Sequence, residues 1–159
     1  MNRGKKELSP LHCLYYIYYC FATKTDENFN QSQINQIIVF LNKWTGNNKT
    51  SESIISETKE WIKENKPSKE EELNIMFSMI DYLKKENIFS LIDKEHILLQ
   101  IRQIARYDGS FSESEKKYHD LLAFHFGLNI RVSACTTNEI KESAKEVDRR
   151  KIGFKINRN

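Results

Sequence analysis

The strongest constraint on the fold is a hydroxyl residue followed three positions later by an acid. It occurs at Ser68 and Glu71, Ser90 and Asp93, Ser112 and Glu115, and Thr136 and Glu139. In a capping box the hydroxyl accepts a backbone N–H of the first helical turn, and the acid returns a bond to the capping residue's own N–H. Each pair precedes apolar residues at helical spacing, such as Leu73, Met76, Phe77, Ile80 and Leu83, or Ile97, Leu98, Ile101, Ile104 and Ala105. These four boxes predict four helix starts.

Three further helices precede them. Ser9-Pro10 places a cap before a proline at the first helical position. The helix that follows has Leu11, Leu14, Tyr15, Tyr18 and Ala22 on one face and Ile17 and Phe21 on the other, which predicts a central position. A second helix runs from Asn30 to Trp44 on Ile34, Ile37, Ile38 and Leu41, and Thr45-Gly46-Asn47-Asn48 ends it. A third begins near Ser51 and stops at Asn65-Lys66-Pro67.

Composition supports the same class. Five glycines and two prolines are too few turn formers for a many-stranded fold. Leu, Ile, Val and Phe make up about 26% of the chain, enough to fill a core. The expected fold is all-α: about seven helices in a single bundle over residues 1–148, followed by a loose basic extension over 149–159. That extension holds Arg149, Arg150, Lys151, Lys155 and Arg158 and no acid, whereas the rest carries 20 basic and 22 acidic residues. Such a body is not that of a uniformly basic nucleic-acid binder.

Cys13, Cys20 and Cys135 form neither a CxxC pair nor an even set, which argues against a disulfide framework and a structural zinc site. Cys13 and Cys20 stand about two helical turns apart, too far for a bridge. A reducing cytoplasm fits this usage best. The basic start and the apolar run Leu11–Ala22 resemble a signal peptide only loosely. The run holds His12, lacks a small-x-small exit site and is too short to span a bilayer.

Reaction motifs are missing. There is no H-E-x-x-H, no glycine-rich phosphate loop and no G-x-S-x-G elbow. His125 falls on an apolar stripe and reads as a core histidine. His119 lies one turn after Glu115 on the same face, a pair that with Asp108 has the makings of a transition-metal site. An EF-hand is excluded, because a register that sets Gly109 at loop position six puts Ile104 and Arg106 at positions that must supply oxygen.

Two junctions repeat. Asp26-Glu27-Asn28-Phe29-Asn30-Gln31-Ser32-Gln33 and Asp108-Gly109-Ser110-Phe111-Ser112-Glu113-Ser114-Glu115 align with an interval of 82 residues between their aspartates. Each follows an apolar helix and precedes an amphipathic one, as in a duplicated helical unit.

The stretch Ile104-Ala105-Arg106-Tyr107-Asp108-Gly109-Ser110-Phe111-Ser112-Glu113-Ser114-Glu115 resembles the A-x-x-D-G-x-(apolar)-x-x-x-E signature of TerB-like domains, found in tellurite-resistance proteins and in membrane-anchored DnaJ-type co-chaperones. The resemblance covers residues 9 to 130. It implies a seven-helix fold with pseudo-twofold halves. It also implies a non-enzymatic, stress-associated cytoplasmic role, with a divalent cation (Ca²⁺, Mg²⁺, Mn²⁺ or Zn²⁺) at Asp26, Asp108 and Glu115. Glu27 stands where the second junction has Gly109, and Gln33 where it has Glu115. Capping accounts for Glu and Gln alike, since either serves a box, whereas a cation favours Glu.

The functional expectation is a non-catalytic interaction module whose partner is another protein. The alternative is an adaptor that meets an anionic membrane surface or nucleic acid through Arg149, Arg150, Lys151, Lys155 and Arg158.

Overall fold

The computed structural model describes residues 7–25, 31–106, 111–145 and 155–156. Seven helices lie among them: α1 Pro10–Thr25, α2 Gln31–Thr45, α3 Asn48–Asn65, α4 Lys69–Lys85, α5 Leu91–Arg106, α6 Glu113–His125 and α7 Thr137–Lys145. The chain is therefore all-α, as its caps and periodicities predict. Two two-residue strands, β1 Glu7–Leu8 and β2 Lys155–Ile156, pair in parallel. This places part of the basic extension beside the start of α1, where a loose end was expected. Residues 149–154 and 157–159 lie outside the described residues.

The caps form as read. Ser68 and Glu71 exchange bonds of 3.2 and 2.9 Å, Ser90 and Asp93 of 3.1 and 3.3 Å, and Ser112 and Glu115 of 3.1 and 3.0 Å. Thr136 Oγ1 accepts the Glu139 N–H at 3.1 Å. At α1 a histidine takes the acid's place: His12 Nδ1 accepts the Ser9 N–H at 3.0 Å, and His12 Nε2 lies 2.9 Å from Glu57 of α3. Helix α3 starts three residues earlier than expected. Gly46 turns the chain at φ +85°, and the Asn47 side chain then accepts the Thr50 N–H at 2.7 Å, so the segment read as a terminator also caps the next helix.

Helix α1 is the axis of the core. Cys13, Leu14, Tyr15, Tyr16, Ile17 and Tyr18 are all buried in succession, because α2, α3, α4, α5 and α6 surround the helix. Tyr16 meets Trp61 of α3 edge-to-face at 6.1 Å, and Tyr18 meets Phe40 of α2 at 6.4 Å. Burial of such rings adds to the apolar stabilisation, at roughly 25 cal/mol per Å² removed from water.

The packing also carries the 82-residue interval. A shift of 82 takes Gln31, the first residue of α2, onto Glu113, the first of α6, and places α1 over α5. Exchange of the halves turns the α1–α6 contact into α5–α2, and the structure contains both. It turns α1–α2 into α5–α6 and α2–α3 into α6–α7, and these four also occur. The exchange is only partial: α1 also packs on α3, whereas α5 and α7, the pair this should become, make no comparable contact, and α4 packs on α1 and α6 without a counterpart.

Candidate functional site

Of the residues assigned to a cation, Asp26 and Asp108 lie outside the described residues. Glu115 is 4% exposed, and its carboxylate accepts the Ser112 N–H in the capping box. Its α6 neighbour His119 turns to other partners. His119 Nδ1 is 3.0 Å from Asp120 Oδ1, and its Nε2 is 3.0 Å from Arg102 Nη1. Among the described residues no group of three or more His, Cys, Asp or Glu is placed to hold a metal ion. Of the basic extension, Arg149, Arg150, Lys151 and Arg158 lie outside the described residues, and Lys155 is described only as backbone of β2.

The Arg102–His119–Asp120 chain is an internal brace. Arg102 donates to Nε2, so a neutral His119 carries its proton on Nδ1 and gives it to Asp120. Burial, aided by Arg102 and Arg106, pushes the imidazole below its ordinary value against the pull of Asp120. Asp120 also accepts the Val132 and Ser133 N–H groups at 2.9 Å each and the Ser133 hydroxyl at 2.5 Å. Burial alone would raise its carboxyl, but these bonds and that from His119 outweigh it and hold the group low. The brace fastens the segment between α6 and α7 to the helix body. Its groups are occupied with one another, which gives it a structural part.

One open surface lies between α2 and α5. Lys43, Trp44, Asp93, His96, Leu99, Gln100 and Gln103 line a groove of about 300 Å³. Its floor is rigid: Trp44 Nε1 donates to Gln100 Oε1 at 2.9 Å, and the indole meets Phe89 edge-to-face at 5.5 Å. On α5, Ile92, His96, Leu99 and Gln103 recur at helical spacing along one outward stripe. Ile92 is 72% exposed and Leu99 40%, with Leu91 at 61% beside them and Val39 of α2 at 47%. Four of the five large apolar side chains left exposed among the described residues thus belong to these two helices, the fifth being Phe124. Val39 stands one turn before Lys43 on the same face.

These apolar residues escape a core-stripe reading of α5, because Ile97, Leu98, Ile101, Ile104 and Ala105 already satisfy it. The available signal was the surplus: Leu91, Ile92 and Leu99 fall off the buried face.

Cys13, Cys20 and Cys135 form no disulfide. Burial pushes the Cys13 thiol far up, which keeps it protonated and unreactive. No helix among the described residues is long and apolar enough to cross a membrane. No family model matches the chain, and neither a curated protein nor a solved structure is found similar to it.

Proposed function

We propose that this chain is a non-catalytic helical interaction module of the TerB-like type, which docks an amphipathic helix of another protein in the α2–α5 groove. The exposed apolar side chains of Ile92 and Leu99 on α5 and of Val39 on α2 carry this reading. Scattered apolar residues are ordinary on a surface, but several on two helices that flank a groove mark a contact site. Helix-in-groove recognition uses anchors at i, i+3 or i+4, and i+7, the period at which Ile92, His96 and Leu99 are presented. Trp44 is a rigid aromatic of the kind that anchors interfaces. Lys43 and Asp93 both line the groove, so its rim offers one charge of each sign to a partner helix. The A-x-x-D-G signature and the exchange-related packing of the halves support the TerB-like type. Three cysteines that form no disulfide favour a reducing, cytoplasmic setting.

A display library of helical peptides, selected on the full chain, tests the reading. The selected peptides are expected to share apolar residues at helical spacing. Ile92→Asp and Leu99→Asp, both on exposed positions, should weaken them about tenfold or more, with the helical circular dichroism unchanged. Peptides indifferent to both substitutions would overturn it. So would a wild-type dimer that Leu99→Asp converts to monomer, since the groove would then belong to a second copy of the chain.

A further inference from the structure

A smaller pocket, of about 70 Å³, lies among α1, α2 and α3. It sits on the face of α2 opposite Val39 and Lys43, away from the α2–α5 groove. Ile34, Ile37 and Ile38 of α2 and Ile55 of α3 form its apolar wall. Tyr15 of α1 brings a hydroxyl, and Lys59, one turn after Ile55 on α3, brings an ammonium group. Among the described residues no carboxylate lines it.

Tyr15 is 4% exposed. The two other deeply buried tyrosines of α1 are both bonded: Tyr16 donates to the Glu72 carbonyl at 3.1 Å, and Tyr18 donates to Gln100. The Tyr15 hydroxyl has no hydrogen-bond partner among the described residues, yet packing does not seal it off: its oxygen keeps accessible surface. With so little of the residue exposed, that surface faces the pocket it lines. The ring stacks on Tyr19, with centroids 6.0 Å apart, which fixes the direction of the hydroxyl. Burial, aided by the Tyr19 hydroxyl, pushes Tyr15 up, so at neutral pH it holds its proton and can donate it.

These features call for one kind of guest. A buried hydroxyl with no partner calls for an acceptor. Isoleucine walls favour an apolar group over water, which needs several polar partners. Lys59 is exposed and has no ion-pair partner among the described residues, so it favours negative charge. The pocket is smaller than the engineered cavities of about 150 Å³ that admit benzene, so the apolar part of the guest is short.

We propose that this pocket binds a small carboxylate with a short apolar tail. The tail lies among Ile34, Ile37, Ile38 and Ile55, and the carboxylate accepts the Tyr15 hydroxyl and faces Lys59.

The test titrates the full chain, at constant ionic strength, with acetate, butyrate, isovalerate, isopentanol and isopentylamine, read by NMR of the isoleucine methyl groups. Isovalerate should move the methyls of Ile34, Ile37, Ile38 and Ile55 and leave that of Ile92 in the α2–α5 groove in place. Affinity should rise from acetate to butyrate by about fourfold per methylene. Isovalerate should bind more tightly than the alcohol or the amine of the same tail. Tyr15→Phe should weaken isovalerate about tenfold, as for a hydrogen bond to a charged group. It should leave urea stability intact, because it breaks no bond within the protein. Lys59→Gln, an exposed substitution, should narrow the preference over isopentanol about two- to fivefold. Silence at tens of millimolar overturns the proposal, as do shifts confined to other isoleucines or an amine that binds as tightly as the carboxylate. So does isovalerate binding that Tyr15→Phe leaves at the wild-type strength, or a preference over isopentanol that Lys59→Gln leaves unchanged. The chain-length and charge series decide without any variant.

Discussion

Tyr18 donates its hydroxyl hydrogen to Gln100 Oε1, and the two residues stand 82 positions apart, the interval that separates the two aspartate junctions. The bond ties the middle of α1 to α5 inside the core. Gln100 Oε1 also accepts from Trp44, which links the core of α1 to the floor of the α2–α5 groove.

Gln100→Leu removes the acceptor from two donors at once. An unmet buried donor costs about 1–3 kcal/mol, so the variant should lose about 2–4 kcal/mol of unfolding free energy in urea. Tyr18→Phe on that background should recover part of the loss, because one of the stranded donors is gone. A Gln100→Leu midpoint equal to the wild type would show that the bond does not hold α1 to α5.

Stability should fall as the pH drops from 7.5 to 5. His119 is held below its ordinary value, so the folded chain binds fewer protons there than the unfolded one. The contribution is complete above the unfolded value near pH 6.5 and is lost as the pH falls below it. Asp120 acts lower on the scale: its depressed carboxyl adds stability above about pH 3.9 that is lost in stronger acid. Urea titrations of His119→Gln should show a flatter dependence between pH 5 and 7 than the wild type. A steeper one would mean that the folded protein protonates His119.

Glu115 separates capping from cation binding. Ser112→Ala should cost about 1 kcal/mol, and Glu115→Gln should cost little, because a glutamine can return the same bond to Ser112. Calorimetric titration with Ca²⁺, Mg²⁺, Mn²⁺ and Zn²⁺ then examines the cation. Heat that survives Glu115→Gln but not Asp26→Asn or Asp108→Asn assigns the ion to the aspartates alone. Heat lost with Glu115→Gln would restore Glu115 as a ligand.

Gly127→Ala should destabilise more than Gly46→Ala. Both glycines have positive φ, +82° and +85°, where an alanine costs about 1 kcal/mol. A Cβ at Gly46 meets open space, whereas at Gly127 it meets the Lys84 stem. Lys84→Ala should remove the difference between the two in thermal melts. Equal melts without that second change would show that the lysine moves aside freely.

Helix number and order were legible because they depend on local chemistry. Ser68, Ser90, Ser112 and Thr136 cap the next turn whatever lies across the molecule, and glycine ends helices at positions 46 and 127 through its own backbone freedom. The central place of α1 was legible too, since apolar residues on both faces must be enclosed on both. The start of α3 was misjudged because Asn47 serves two roles, closing one turn and opening the next.

Pairings between distant residues had no such local source. That His119 takes Arg102 and Asp120 rather than Glu115, that His125 meets Asp81 yet keeps an unmet nitrogen, and that Ile92 and Leu99 stay outside the core follow from how α2, α4, α5, α6 and α7 pack. Caps and periodicity act over three to seven residues and can be read from the chain alone. Which polar groups satisfy one another, and which apolar ones remain uncovered, is decided only when helices far apart in sequence are brought together.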